Sequence, residues 1–469
     1  MTIHDIEGTR SRVVRRTVPL GSALALAALL SAPAHAVEFE TQMQAKFQPT
    51  FFGNFDLDSD SKDGPTATSA GSVDVGDEHV RFEGRWGATA KGERWTAKFL
   101  LESDAVMDGG QADADAVNVE RTYFTYAFDP ALVLQAGFEF KAPDFAGGGL
   151  LYGDDHPIFG FKGDLGWATY DAYWILVEEG ITQGGSPQGS GDSQVYLGSL
   201  SVDVPGFGTV QPIVAYHDNE ENDVDVTYFG GTAVGSLGPM LNVKGEAFGV
   251  LGSFDGNAPG GLADDDVQAF AANLILEAPV NDMFKPNLGL RYTSGDDDPT
   301  DDDVEGWLGI SDISGFVAPM SSGLGILRWG PQQNAAFATP VVFGTAYENT
   351  GPGGATYGGI GNSGTGNNTG QIVVAPGVTG NINPQVSYFA SLWAIWYAET
   401  GGLESLPGAD DDVSSYSGTM IDLKLSYKPI KELTLSAGGS VFLPGQGVED
   451  ATGVDDPAGV GIVDMTWSF

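Results

Sequence analysis

The sequence predicts an all-β chain folded as a transmembrane antiparallel β-barrel of about 18 strands, with 16 as the alternative count. Three observations carry that expectation. Segments of roughly ten residues alternate apolar and polar positions, separated in turn by short turns and long loops rich in Asp, Gly, Ser and Pro. The chain ends "GVGIVDMTWSF", so that Gly459, Gly461, Val463, Met465, Trp467 and Phe469 share one face while Asp464, Thr466 and Ser468 share the other. Finally, there is no cysteine. An exported chain of this length without a disulfide needs another means of holding itself together, and closing a sheet so that every backbone group is paired supplies it.

Residues 1–36 read as a secretory signal peptide: "RSRVVRR" is a basic n-region, "LGSALALAALL" an apolar run, and "PAHA" a small-x-small cleavage site before Val37. The run is well short of the about 20 residues a membrane-spanning helix requires. Residues 37–469 then form the barrel. A first strand over 39–55 rises from the periplasm and the last, 458–469, descends to it. Short periplasmic turns are expected at 90–94, 128–132, 163–166, 205–208, 236–239, 279–286 and 428–432. Long outer connections fall at 56–78, 107–117, 142–157, 180–192, 218–224, 254–265, 295–367, 400–415 and 444–457. An even strand count needs one weakly signalled strand before 384, and "GQIVVAPG" (370–377) supplies it. The 295–367 connection is long enough to act as a constriction or an outer lid.

Within strands, the period of two assigns faces. "LVLQAGFEFK" sets Leu132, Leu134, Ala136, Phe138 and Phe140 against Gln135, Glu139 and Lys141, and "TMIDLKLSYK" sets Ile421, Leu423, Leu425 and Tyr427 against Asp422, Lys424 and Lys428. With the apolar faces toward lipid, the lumen receives Arg81, Glu83, Arg85, Lys98, Glu102, Arg121, Glu139, Lys141, Lys244, Glu246, Arg291, Asp422 and Lys424. Two readings of this ladder stand side by side. Interior charges can pair across the wall and brace a water-filled barrel, or they can form a selectivity constriction opposite a carboxylate-bearing inserted loop. The aromatic terminus, Trp467 and Phe469, is the signal expected for the barrel-assembly machinery, and it also seats aromatics at the inner interface of outer-membrane lipid.

Charge excludes some partners. Lys and Arg number 21 against 63 Asp and Glu, a formal −42, so the surface repels nucleic acid. The acidic loop "SGDDDPTDDDVEG" offers Asp296, Asp297, Asp298, Asp301, Asp302, Asp303 and Glu305, hard oxygen ligands that suit Ca²⁺, although the spacing is not that of an EF-hand and a solvated loop is the plainer reading. No other cofactor is expected. The glycine-rich 351–370 has no lysine and does not read as a phosphate loop. His79, His156 and His217 lie on separate elements, so no zinc site or Ser–His–Asp triad assembles from spacing, and an enzyme is not expected.

Two stretches, "LLYGDDHPIFGFKG" (150–163) and "LRYTSGDDDPTDDDVEGW" (290–307), resemble segments of the alginate-export type of outer-membrane barrel. That resemblance implies an 18-stranded wall and an arginine-lined pore for an anionic polysaccharide, whereas this chain is poor in Arg and rich in acidic loops. The expected function is a passive diffusion channel for small hydrophilic solutes or ions in the outer membrane of a Gram-negative cell. A gated exporter of a charged exopolysaccharide and a structural barrel with calcium-bridged loops are the alternatives. Sequence leaves the choice between monomer and homo-oligomer open.

Overall fold

The computed structural model describes residues 37–53, 78–108, 111–114, 117–178, 192–220, 224–254, 265–298, 301, 303–307, 309–310, 369–404, 408–453 and 455–469. The signal-peptide reading of 1–36, most of the 295–367 connection and Asp302 lie outside the described residues.

In chain order the first ten strands are β1 (Glu38–Gly53), β2 (Glu78–Lys91), β3 (Trp95–Asp108), β4 (Gln111–Ala114), β5 (Asn118–Asp129), β6 (Leu132–Lys141), β7 (Asp154–Asp164), β8 (Thr169–Glu178), β9 (Ser193–Val204) and β10 (Gly208–Asn219). The remainder are β11 (Val224–Ser236), β12 (Asn242–Phe254), β13 (Asp265–Glu277), β14 (Lys285–Thr293), β15 (Asp303–Val304), β16 (Gln371–Asn383), β17 (Val386–Trp396), β18 (Tyr416–Ile430), β19 (Leu433–Pro444) and β20 (Ala458–Ser468). Among the described residues, two short α-helices, α1 (Gly401–Glu404) and α2 (Gln446–Thr452), sit in the last two long connections.

All twenty strands belong to one sheet, and β4 and β15 are short accessories, which leaves eighteen in the wall. Each wall strand pairs antiparallel with its neighbours, and β1 pairs with β20, so the sheet closes without an edge. The seal is tight at the terminus: Met43 N donates to Phe469 O at 2.7 Å and Phe469 N to Met43 O at 2.9 Å. The weak strand expected at 370–377 is β16, bridging β14 and β17.

Local chemistry explains the short turns. Asp129 Oδ1 accepts from Ala131 N at 2.9 Å, Asp164 Oδ1 from Gly166 N at 2.7 Å, and Asn383 Oδ1 from Gln385 N at 2.9 Å. Such side-chain bonds mimic a backbone turn, and Gly166 adopts the left-handed φ of 85° that closes its turn. The outer face carries the apolar half of each alternation: Phe47, Phe51, Phe82, Trp86, Phe99, Phe159, Phe161, Leu423, Leu425, Met465 and Trp467 are all exposed. An apolar belt around a closed barrel is stable only against lipid, so the barrel is a transmembrane one.

The interior is far from empty. Leu150, Leu151 and Tyr152, between β6 and β7, turn inward with Val304, Trp307 and Ile310 and pack on the inner wall of β7–β13 against Ile158, Tyr173, Ile175, Tyr228, Phe248 and Val250. Ile310 N donates to Leu151 O at 2.7 Å and ties the two insertions together. Trp307 lies edge-on to Tyr228 and stacked on Phe248, with ring centroids 5.6 and 6.5 Å apart. Burying each of these large side chains contributes about 2 kcal/mol, enough to hold both segments in place.

Candidate functional site: a charged lumen wall facing an inserted segment

On β2, Phe82 and Trp86 point to lipid, so Arg81, Glu83 and Arg85 point inward as the period of two requires. Register sets their neighbours. Glu83 lies opposite Lys46 of β1 and Asp104 of β3, and Arg85 lies opposite Glu102. The result is a continuous ion-pair chain. Lys46 Nζ stands 3.8 Å from Glu83 Oε2, and Arg81 bonds Glu83 at 3.4 Å and forks onto Asp104, Nε reaching Oδ2 at 2.8 Å. Arg85 Nε is 2.6 Å from Glu102 Oε2 and 3.3 Å from Glu83 Oε1, and its other arm reaches Glu120 Oε1 at 3.0 Å. Arg121 extends the chain to Glu120 at 3.8 Å and Asp155 at 3.0 Å, its guanidinium 5.0 Å from the Phe140 ring centroid.

Sequence periodicity misses Glu120, because it adjoins the inward Arg121 and strict alternation would send it to lipid. The register of β3 on β5 shifts between Leu100 and Leu101: Leu100 faces Arg121, Leu101 faces Val119, and Glu120 is the extra residue. This β-bulge lets two consecutive side chains reach the same charged network. Lys46, which alternates with the lipid-facing Phe47, and Asp104, two residues past Glu102, were legible from spacing but not singled out, whereas Asp155, opposite Phe140 on β7, is reached by Arg121 across β6.

A second group follows. Glu139 faces Lys141, Arg121 and Lys98. Gln135, wholly buried, donates to Glu139 at 3.2 Å and accepts from Lys141 Nζ at 3.1 Å and from Tyr173 OH at 2.8 Å. The Lys141 ammonium also sits 4.2 Å above the Tyr173 ring.

Across the lumen the wall is lined differently. Thr232, Glu246, Asn273 and Arg291 form one inward row over β11–β14, all buried, with Asn273 Nδ2 donating to Glu246 Oε1 at 2.8 Å. The inserted segment 142–153 rests on this row, six strands from β6. It closes on itself through Asp144, which accepts from Leu151 N at 2.6 Å and Tyr152 N at 3.3 Å. Burial pushes the Asp144 carboxyl up from its usual range to about 6. The sequence read 142–157 as an outer connection, yet 142–153 folds inward, because "LLY" finds more apolar surface inside the barrel than outside. Of the 295–367 connection, the described residues 303–307 and 309–310 also run inward, 295–298 and 301 carry the acidic loop, and 299–300, 302, 308 and 311–367 lie outside the described residues.

The other expected lumen residues stand apart from both groups. Lys244 occupies the next inward position below Glu246, while Asp422, buried, accepts from Ser440 Oγ at 3.4 Å on β18, with Lys424 one inward position on.

In the acidic loop, Asp301 N donates to Asp298 O and Asp303 N to Asp301 Oδ1, while Asp297 and Glu305 remain exposed. Burial, aided by Asp301 and Glu305, raises the Asp296 carboxyl to about 7, and burial with Asp297, Asp301 and Asp303 raises Glu305. Among the described residues, the group of three carboxylates that converges is Glu83, Glu102 and Asp104, within 4.8 Å of one another, and there Arg81 and Arg85 already pair with them.

No protein-family profile matches the chain, and no curated protein sequence matches it. Solved structures do. The chain is similar to Pseudomonas aeruginosa OccK2 in complex with glucuronate (TM-score 0.53, 11% identity, covering 92% of this chain and 98% of that one). It is similar to a BenF-like porin from Pseudomonas fluorescens Pf-5 (TM-score 0.51, 12% identity, 92% and 99%) and to Pseudomonas aeruginosa OprD (TM-score 0.50, 10% identity, 92% and 95%). The architecture is therefore the closed antiparallel β-barrel that these solved outer-membrane channels share. Its fold is similar to that of the OprD and Occ channels. The resemblance to the alginate-export type is not supported. Its two stretches divide between ordinary wall strands and the inward-folded segments, and arginines held by carboxylates do not make the bare basic pore that the resemblance implies.

Proposed function

We propose that the protein is a passive diffusion channel of the outer membrane for small hydrophilic solutes or ions. The observation that carries this reading is the division of the lumen: apolar insertions pack along β7–β13, while a charge-lined wall follows β1–β6. Rate and selectivity come from aperture and lumen charge. The ion-pair chain sets Lys46, Arg81, Arg85 and Arg121 against Glu83, Glu102, Asp104, Glu120 and Asp155, and Lys98, Lys141 and Glu139 bring that wall to balance, so the chain's formal charge of −42 tilts the path weakly toward cations. The solved OccK2 complex contains glucuronate, a solute of the size and polarity proposed.

The same geometry supports both roles of the ladder at once, since charges that brace the wall also line the path. Neither the exporter nor the sheath gains a specific observation. Liposomes loaded with the purified protein and challenged with isotonic pentose, hexose and hexuronate should swell at rates ordered by size. Swelling no faster than that of protein-free liposomes would sink the proposal.

A further inference from the structure

The segment 142–153 has two parts with different footing. Leu150, Leu151 and Tyr152 are locked in the apolar cluster, whereas the preceding tip, "APDFAGGG", rests on polar wall. The fit at the tip is close. A Cβ at Gly148 would stand 2.2 Å from Glu246 Oε1 and 2.4 Å from Asn273 Nδ2, and one at Gly147 would stand 2.8 Å from Gly245 O. At Gly147 a backbone carbonyl leaves room for glycine alone, and at Gly148 any side chain would displace the ends of Glu246 and Asn273, which are bonded to each other. Beside it the Asp144 carboxyl, fully buried, faces the Glu246 carboxyl, whose Oε2 is buried without a hydrogen-bond partner among the described residues.

The charged group facing this pair from the wall is Arg291 of β14, while β11 and β13 present Thr232 and Asn273, which do not titrate. Two ionised carboxylates against one guanidinium would leave a net negative charge in a dry contact, which a single proton removes.

We infer that Glu246 and Gly148 are positioning residues of the channel: they seat the tip 142–149 across the lumen through Asp144, and protonation of the facing carboxyls governs how long it stays seated. The inference rests on the channel reading above. The apolar anchor stays in place throughout, and only the tip leaves the wall, so the channel alternates between a narrow and a wide level.

The sign follows from linkage. Asp144 binds its proton more tightly when seated, near pH 6, than when exposed at the usual carboxylate value. Seating is therefore favoured at low pH and weakens as pH rises through that window. The narrow-to-wide ratio should fall about a hundredfold between pH 3 and pH 7.

Single-channel records of the full-length purified protein in a planar bilayer test this by dwell times in each level, with heat-modifiable migration on gels confirming that each variant closes its barrel. Wild type should show the fall. Asp144→Asn should hold the narrow level at a ratio independent of pH. Gly148→Leu should dwell in the wide level at every pH. Glu246→Lys should reverse the trend, because ionised Asp144 then gains a partner, a change that a merely structural role would not produce. A flat wild-type profile, or Asp144→Asn retaining the wild-type slope, overturns the inference and leaves the channel reading intact. No conductance from wild type overturns the channel reading and the inference with it.

Discussion

Arg85 bonds three carboxylates on three strands, Glu83, Glu102 and Glu120, and shows why single residues matter in this wall. Replacing Arg81 and Arg85 together by Gln removes two positive charges and leaves Glu83, Glu102 and Asp104 without them. The reversal potential under a salt gradient should shift toward cations, by several millivolts or more. An unchanged potential would mean that these residues lie off the ion path. Glu120→Gln should act oppositely, relaxing both Arg85 and Arg121 and moving the potential toward anions. At the outer rim, Asp296 titrates near 7 because burial disfavours its charge. A carboxyl raised in the folded state contributes stability below its unfolded value that is lost as pH rises through the folded one. The amides of residues 294–298 and 303–307 should therefore be less protected at pH 8 than at pH 5, once each rate is divided by the intrinsic exchange rate at that pH, and Asp296→Asn should shrink that loss of protection.

At the scale of elements, most of the wall was legible because alternation repeats in every strand and turns carry Asp, Asn, Gly and Pro at fixed places. The face of Arg81, Glu83 and Arg85 follows from Phe82 and Trp86 alone. Glu120 does not, since a bulge depends on how β5 registers on β3 and leaves no mark in either strand by itself. Segment 142–153 shows a second limit. Its glycines and Pro143 look like those of any outer loop, and only the cavity shaped by β7–β13 makes "LLY" an inward anchor. Leu151→Ala should cost that anchor about 2–5 kcal/mol, read as faster local hydrogen exchange around 150–152 with the wall strands unaffected. The closing strand makes a separate prediction. Deleting Phe469 removes both backbone bonds to Met43 and the terminal aromatic, so the heat-modifiable, folded fraction recovered from outer membranes should drop severalfold.

For the whole molecule, a cysteine-free chain of strong negative charge and alternating strands folds in keeping with its pattern, as a closed sheet with an apolar outside. What flows through it is set by the lumen, which inserted segments narrow and a compensated charge network lines. The central claim is that this lumen conducts. Single-channel conductance and reversal potential of the purified protein in a planar bilayer under a salt gradient test it most directly. Steady unitary conductance with a reversal potential displaced modestly toward the cation equilibrium value is the expected result. Silence at all voltages, persisting after residues 311–368 are deleted, would contradict it.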